Sequence, residues 1–123
     1  MAVITEANNL GDLLKYEADQ FYSRDEVVVA SGQNLALGAV VGIKGSDGKA
    51  RALAPAATDG TEVAAGVVLF SVAASTDTQT VIVARHAIVA DTALVWPANI
   101  TVPQKSAAIS QLKGLGIIIR TGV

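Results

Sequence analysis

Few side chains in this sequence could carry acid–base or nucleophilic chemistry. The 123 residues include one histidine, His86, and no cysteine. A hydrolytic site around His86 needs a nucleophile, from Ser71, Ser75 or Ser106, and an orienting acid such as Asp77 or Asp91. None of these serines lies in a G-x-S-x-G elbow. His86 therefore reads as a surface or rim histidine beside Arg85 on a strand. Without cysteine there is no disulfide, thiolate nucleophile or Cys-based metal site, and one histidine cannot build a His-rich metal cage. Asp47, Asp59, Glu62, Asp77 and Asp91 fall mainly in turn-like segments and form no D-x-D-x-D-G loop, so they read as solvated turn residues. Gly114-Leu115-Gly116 follows a candidate helix, the wrong order for a phosphate cradle, and reads as a helix stop. The expectation is no catalytic residue, no metal and no cofactor.

Composition narrows the partners. Nine Lys and Arg stand against eleven Asp and Glu, for a net charge of −2. That balance lacks the basic footprint of a nucleic-acid binder. Hydrophobic residues make up 51% of the chain, but 22 are Ala and 16 are Val; Leu and Ile add 19, and there are five aromatics. One domain of this length buries roughly two-thirds of its unfolded surface, and small side chains contribute toward the lower end of about 1.5–3 kcal/mol each. Further burial is expected from oligomerisation or from docking on a partner. Apolar runs such as Val63–Leu69 stop well short of the ~18 residues of a membrane span, and no secretory leader pattern opens the chain.

The elements that would position these residues fall into two parts. Residues 1–26 carry six acids and two bases, net −4, while residues 27–123 carry five acids and seven bases, net +2. The first part also holds Tyr16, Phe21 and Tyr22, three of the five aromatics. This shift marks an arm, 1–26, joined to a β-rich domain, 27–123. Leu10, Leu13 and Leu14 have helical spacing, continued imperfectly by Glu17 and Phe21, and Asn8 or Asn9 could cap such a helix. Two readings are open for the arm: an amphipathic helix packed on its own domain, or a segment mobile alone that orders on a partner.

After Glu26 the pattern becomes that of short strands. Val27–Val29, Ala39–Val41, Ala50–Ala54, Val63–Ala73, Thr80–Ala84, Ala87–Ala90 and Ile117–Ile119 are separated by turn signals at intervals near ten residues. Ser46-Asp47-Gly48-Lys49 reads as a hairpin turn, and Gly66 inside an apolar run implies a bulge or close backbone contact. One helix is expected between Pro103, suited to a first turn, and Gly114, suited to the C′ position, with Ala108, Ile109 and Leu112 on one face. The fold class is mainly β: a compact, small barrel-like domain with one short C-terminal helix and an extended N-terminal arm. Trp96-Pro97 belongs at a strand end or edge; Trp96 is either a core anchor or a subunit-interface residue.

Three stretches, LGDLLKYEADQFYSRDEVVVASGQNLALGAVVG (10–42), AAGVVLFSVAAS (64–75) and ARHAIVADTALVWP (84–97), resemble the lambda-type phage head decoration proteins. Order and spacing carry the likeness over about half the chain. The resemblance implies a structural protein of the virion, neither an enzyme nor a cofactor binder. It implies a homotrimer, made in the host cytoplasm, on the outer surface of the expanded head at three-fold and quasi-three-fold positions. There it would staple the shell against internal DNA pressure, with the major capsid protein as partner. The implied arm contacts are Leu10, Leu13, Leu14, Tyr16, Phe21 and Tyr22, with Glu17, Asp19 and Arg24 as polar partners. His86, Trp96 and Pro97 would lie on the trimer or capsid face. The alternative is a self-assembling structural subunit whose arm is exchanged between neighbouring copies.

Overall fold

The structure, a computed structural model, describes residues 10–121, apart from the side chains of Gln20 and Phe21. In chain order the elements are α1 (Leu10–Leu13), β1 (Leu14–Glu17), α2 (Gln20–Ser23), β2 (Arg24–Val29), β3 (Asn34–Leu35), β4 (Val40–Ile43), β5 (Ala50–Ala52), β6 (Gly66–Val68), β7 (Val72–Ala73), β8 (Thr78–Val83), β9 (Ala87–Ala90), a 3-10 turn (Asp91–Ala93), α3 (Val102–Gly114) and β10 (Ile117–Arg120). The chain is mainly β with one substantial helix near its C-terminus, as the strand spacing and the Pro103–Gly114 interval lead one to expect.

Five strands close on themselves in the order β2-β5-β4-β6-β8. The longest ladder is antiparallel, from Arg24↔Val83 to Val29↔Thr78. The seam between β2 and β5 is a single parallel pair, Val29↔Ala50, with the Ala30 N–H donating to the Ala50 carbonyl at 3.1 Å. A second sheet has the order β1-β9-β10, and β3 pairs with β7.

Two apolar cores explain why the strands read as continuous rather than alternating runs. Val29, Val41, Ala50, Val68 and Ile82, one from each barrel strand, fill one core with Leu35. Their chain neighbours Val40, Val67 and Val83 turn the other way. They join Leu13, Val89, Leu112 and Ile117 in a second core shared by barrel, second sheet and helix. Both faces of β4 and β6 are thus covered, and Gly66, Val67 and Val68 are all buried. Gly66 marks a close backbone contact: a Cβ there would stand 2.6 Å from the Val83 carbonyl oxygen.

The Asp47-Gly48 turn joins β4 to β5 in register Ile43↔Ala50. Helix α3 is started by a capping box, in which Thr101 Oγ1 accepts from the Gln104 N–H and the Gln104 side chain accepts from the Thr101 N–H. Three local expectations are corrected. The run Val63–Ala73 is two short strands, β6 in the barrel and β7 paired with β3, with bends between them. The helical spacing of Leu10, Leu13 and Leu14 yields only one turn, because the chain goes extended at Leu14 to pair with β9. Gly114 is also not the C′ residue but the last residue of α3. Leu115 still donates to the Leu112 carbonyl, and the left-handed residue is Gly116, at φ 82. The division expected after Glu26 falls inside β2.

Candidate functional site

From Leu10 onward the N-terminal residues are anchored to the body by three devices. Leu13 is fully buried in the shared core, with Leu10 and Leu14 half-buried against it. Next, β1 pairs antiparallel with β9 through Leu14↔Val89, Tyr16↔Ile88 and Glu17↔Ala87. Two steps along β1 match one along β9 here, a bulge at Lys15. The bulge turns Leu14 toward the core and Tyr16 outward, although an undisturbed strand would point both the same way. The third device is polar. Ser23 is fully buried, and its hydroxyl donates to Glu17 Oε2 at 2.7 Å. Arg24 Nη2 donates to Glu17 Oε1 at 2.5 Å, and Arg24 Nε reaches both carboxylate oxygens at 3.1 Å. The Arg24 hydrogen bonds hold the Glu17 carboxyl below the usual carboxylate range; burial works against them and Ser23 adds to them.

Residues 85 and 86 tie this segment to the β8–β9 turn and the end of α3. The His86 carbonyl accepts from the Ala18 N–H at 2.9 Å, and the His86 N–H donates to the Leu115 carbonyl at 3.2 Å. His86 is left-handed, at φ 53, alone among the described non-glycine residues. Its ring stacks on Tyr22 with centroids 5.1 Å apart, and Nε2 lies 3.2 Å from the Tyr22 hydroxyl. Gly116 lets the ring sit there, since a Cβ at that position would be 2.7 Å from His86 Nδ1. Arg85 Nη2 donates to Asp25 Oδ2 at 2.6 Å, and Nη1 donates to the Tyr22 carbonyl. The guanidinium carbon lies 5.8 Å from the Tyr22 ring centroid. The Asp25 hydrogen bonds raise the Arg85 pKa above its ordinary value, against an opposing effect of burial.

Around this cluster runs an open groove of about 500 Å³, walled by Tyr16, Tyr22 and His86 and floored by Ala18, Ile88 and Ile118. Strand register aligns Tyr16, Ile88 and Ile118 in one row across the sheet. The alternate residues Ala87, Val89 and Ile117 face the core, so the row faces out. Of the expected contact residues, Tyr16 (60% exposed) and Tyr22 (55%) come together here with His86. Leu13 does not, being core, and Glu17 and Arg24 satisfy each other. Asp19 is exposed, and its carbonyl accepts the Tyr22 and Ser23 N–H groups. The side chain of Phe21 lies outside the described ones.

The other candidate residues lie apart from the groove. Trp96 is half-buried against the shared core, with Lys105 Nζ 5.4 Å from its ring centroid. Its buried Nε1 has no hydrogen-bond acceptor among the described residues. Pro97 lines a second groove with residues 53–57 and 98–100. The candidate triad is not assembled. The hydrogen bonds of His86 go to Tyr22, Ala18 and Leu115, Ser71 Oγ accepts from the Leu37 N–H, and Asp77 takes the Ser31 N–H and Lys49 Nζ. Among the described residues no three His, Cys, Asp or Glu side chains converge as a metal site, and no helix is long and apolar enough to cross a membrane.

Sequence spacing does not single out Ala18, Ile88, Gly116 or Ile118, because only the β1-β9-β10 register brings them together. The available signal is the run Ile117-Ile118-Ile119, one β-branched residue more than a strand buried on one face requires. No curated protein matches the chain. The model of the family described as bacteriophage lambda head decoration protein D matches residues 3–117. That span takes in every barrel strand, β1, β9, helix α3 and the groove residues other than Ile118, and by it the chain belongs to the bacteriophage lambda head decoration protein D family.

Proposed function

We propose that this protein decorates and cements a phage head: as a homotrimer on the outer surface of the expanded shell, at three-fold and quasi-three-fold positions, it stabilises the head against internal DNA pressure. The observation that carries this reading is the family match over residues 3–117, a family of structural head proteins rather than enzymes. The partner is the major capsid protein, met by the N-terminal segment. Strand addition gives such a segment main-chain hydrogen bonds without demanding particular side chains. Three segments on one trimer act at high effective concentration, so modest individual contacts sum to firm attachment. A ligand that binds only the expanded shell deepens that state by linkage.

The test joins two measurements. Light scattering on the free protein is expected to give about three times the 12.5 kDa chain mass. Heads of the phage that encodes it, assembled without it, are expected to bind it and to resist heat rupture better once bound. Polymers formed without heads would favour the arm-exchanged self-assembling subunit instead. Failure to bind heads would refute the decoration reading.

A further inference from the structure

We propose that the outer face of the β1-β9-β10 sheet, with its Tyr16–Tyr22–His86 groove, is the surface that seats on the shell, and that its occupant is an extended, mainly apolar segment of the shell protein. The inference rests on the decoration reading and assigns its contact surface. Four observations lead to it.

The row Tyr16–Ile88–Ile118 is an apolar stripe on an outward sheet face, with Tyr16 60% and Ile118 40% exposed. Exposed tyrosines beside a concave apolar floor are the residue type that dominates binding energy at interfaces. Beside the groove, Arg85 pairs with Asp25 and Arg24 with Glu17. A partner covering those two pairs strands neither charge, and a mainly apolar occupant matches the Tyr16–Ile88–Ile118 row, with Arg120, two residues past Ile118, at its margin. Chain geometry adds a third point. The residues ahead of Leu10 enter the fold through α1 directly into β1, a margin strand of this same sheet. A shell contact made ahead of α1 therefore tethers this sheet before any other described strand.

The last point concerns the competing occupant, a second copy. Among the described residues the other large exposed apolar side chains stand on separate elements: Val28 in β2, Val63 before β6, Phe70 between β6 and β7, Val95 after the 3-10 turn, Val102 at the start of α3 and Leu115 just past its end. Each is single on its element, so no one element among those described offers a row of such side chains to a groove of about 500 Å³ on a neighbouring copy.

The experiment compares wild type, a Tyr16→Lys/Ile118→Lys variant, Tyr16→Ser and a Phe70→Lys control. Each is bound to heads of the encoding phage assembled without this protein, with free mass and thermal melt measured alongside. The groove variants are expected to melt and self-associate like wild type, yet to bind heads at least about tenfold more weakly. Phe70→Lys should bind as wild type. If the double substitution unfolds the protein, the exposed single change Tyr16→Ser decides. Groove variants that bind heads as wild type does would overturn this surface and leave the decoration reading standing. Groove variants whose free mass drops would assign the face to contacts between copies and overturn the proposal. If wild type itself fails to bind, the decoration reading falls and the proposal with it.

Discussion

Leu13→Ala tests whether residues 10–17 are structural. Leu13 has no solvent exposure and sits among Val67, Val83, Val89, Leu112 and Ile117, the core shared by barrel, second sheet and helix. Truncating a fully buried leucine costs about 2–5 kcal/mol, the larger values where the site cannot collapse. Collapse is hard here because strands and helix surround the site, so about 3 kcal/mol is expected. There is also a ceiling. If α1 and β1 can detach while the barrel stays folded, the loss cannot exceed their docking free energy. Two readouts separate the cases. Global cooperativity predicts a melting temperature lower by about 10 °C for a domain of this size. Local detachment predicts a smaller shift, with exchange of the Ala18 amide, bonded to the His86 carbonyl, faster by about two orders of magnitude. A melting shift under about 2 °C with unchanged Ala18 exchange would refute the burial argument.

Two further perturbations have defined signs. The folded pKa of Glu17 is depressed, chiefly by Arg24, so its contribution is complete above the ordinary carboxylate pKa of about 4.3 and is lost as pH falls through the lower folded value. The melting temperature should be level from about pH 7 to 5 and fall below that, and Glu17→Gln should lower it at neutral pH while flattening part of the acid slope. An acid slope unchanged by Glu17→Gln would contradict this. Trp96→Phe should cost under about 1 kcal/mol in urea unfolding, since it deletes a buried donor that has no acceptor among the described residues, whereas Trp96→Ala should cost about 3 kcal/mol through lost packing. A Phe variant as damaged as the Ala variant would mean that Nε1 does have an acceptor.

Several elements that follow Glu26 are legible because local chemistry specifies them, whereas β3 and the split of Val63–Ala73 into β6 and β7 are not. Asp47-Gly48 makes its hairpin, Ala87–Ala90 is a strand with the expected bounds, and Pro103 lies in the first turn of α3. Local pattern misleads where tertiary pairing overrides it. Leu10, Leu13 and Leu14 have helical spacing, but the free edge of β9 draws Leu14–Glu17 into a strand. Gly114 suits the C′ position by residue type, yet it ends α3 and the left-handed residue is Gly116, where the His86 ring needs the space a Cβ would take. Of the candidate site, exposed Tyr16 and Tyr22 could be singled out as aromatics in an aromatic-poor chain. Their meeting with Ile88 and Ile118 depends on a register between residues about seventy to a hundred positions apart and on one bulge at Lys15, neither of which leaves a mark in local sequence.

Strand β9 is held between the first described strand and the last: β1 lies on one side and β10, running parallel to it, on the other. During synthesis the second sheet therefore cannot close until Ile117–Arg120 has left the ribosome, although every barrel strand has emerged by Val83. Pairings this distant in sequence close slowly, on the order of milliseconds to seconds. The nascent barrel must wait with the apolar side of its shared core uncovered. The outward row of Tyr16, Ile88 and Ile118 comes into being only with that last step, so an incomplete chain has no finished outer face to present.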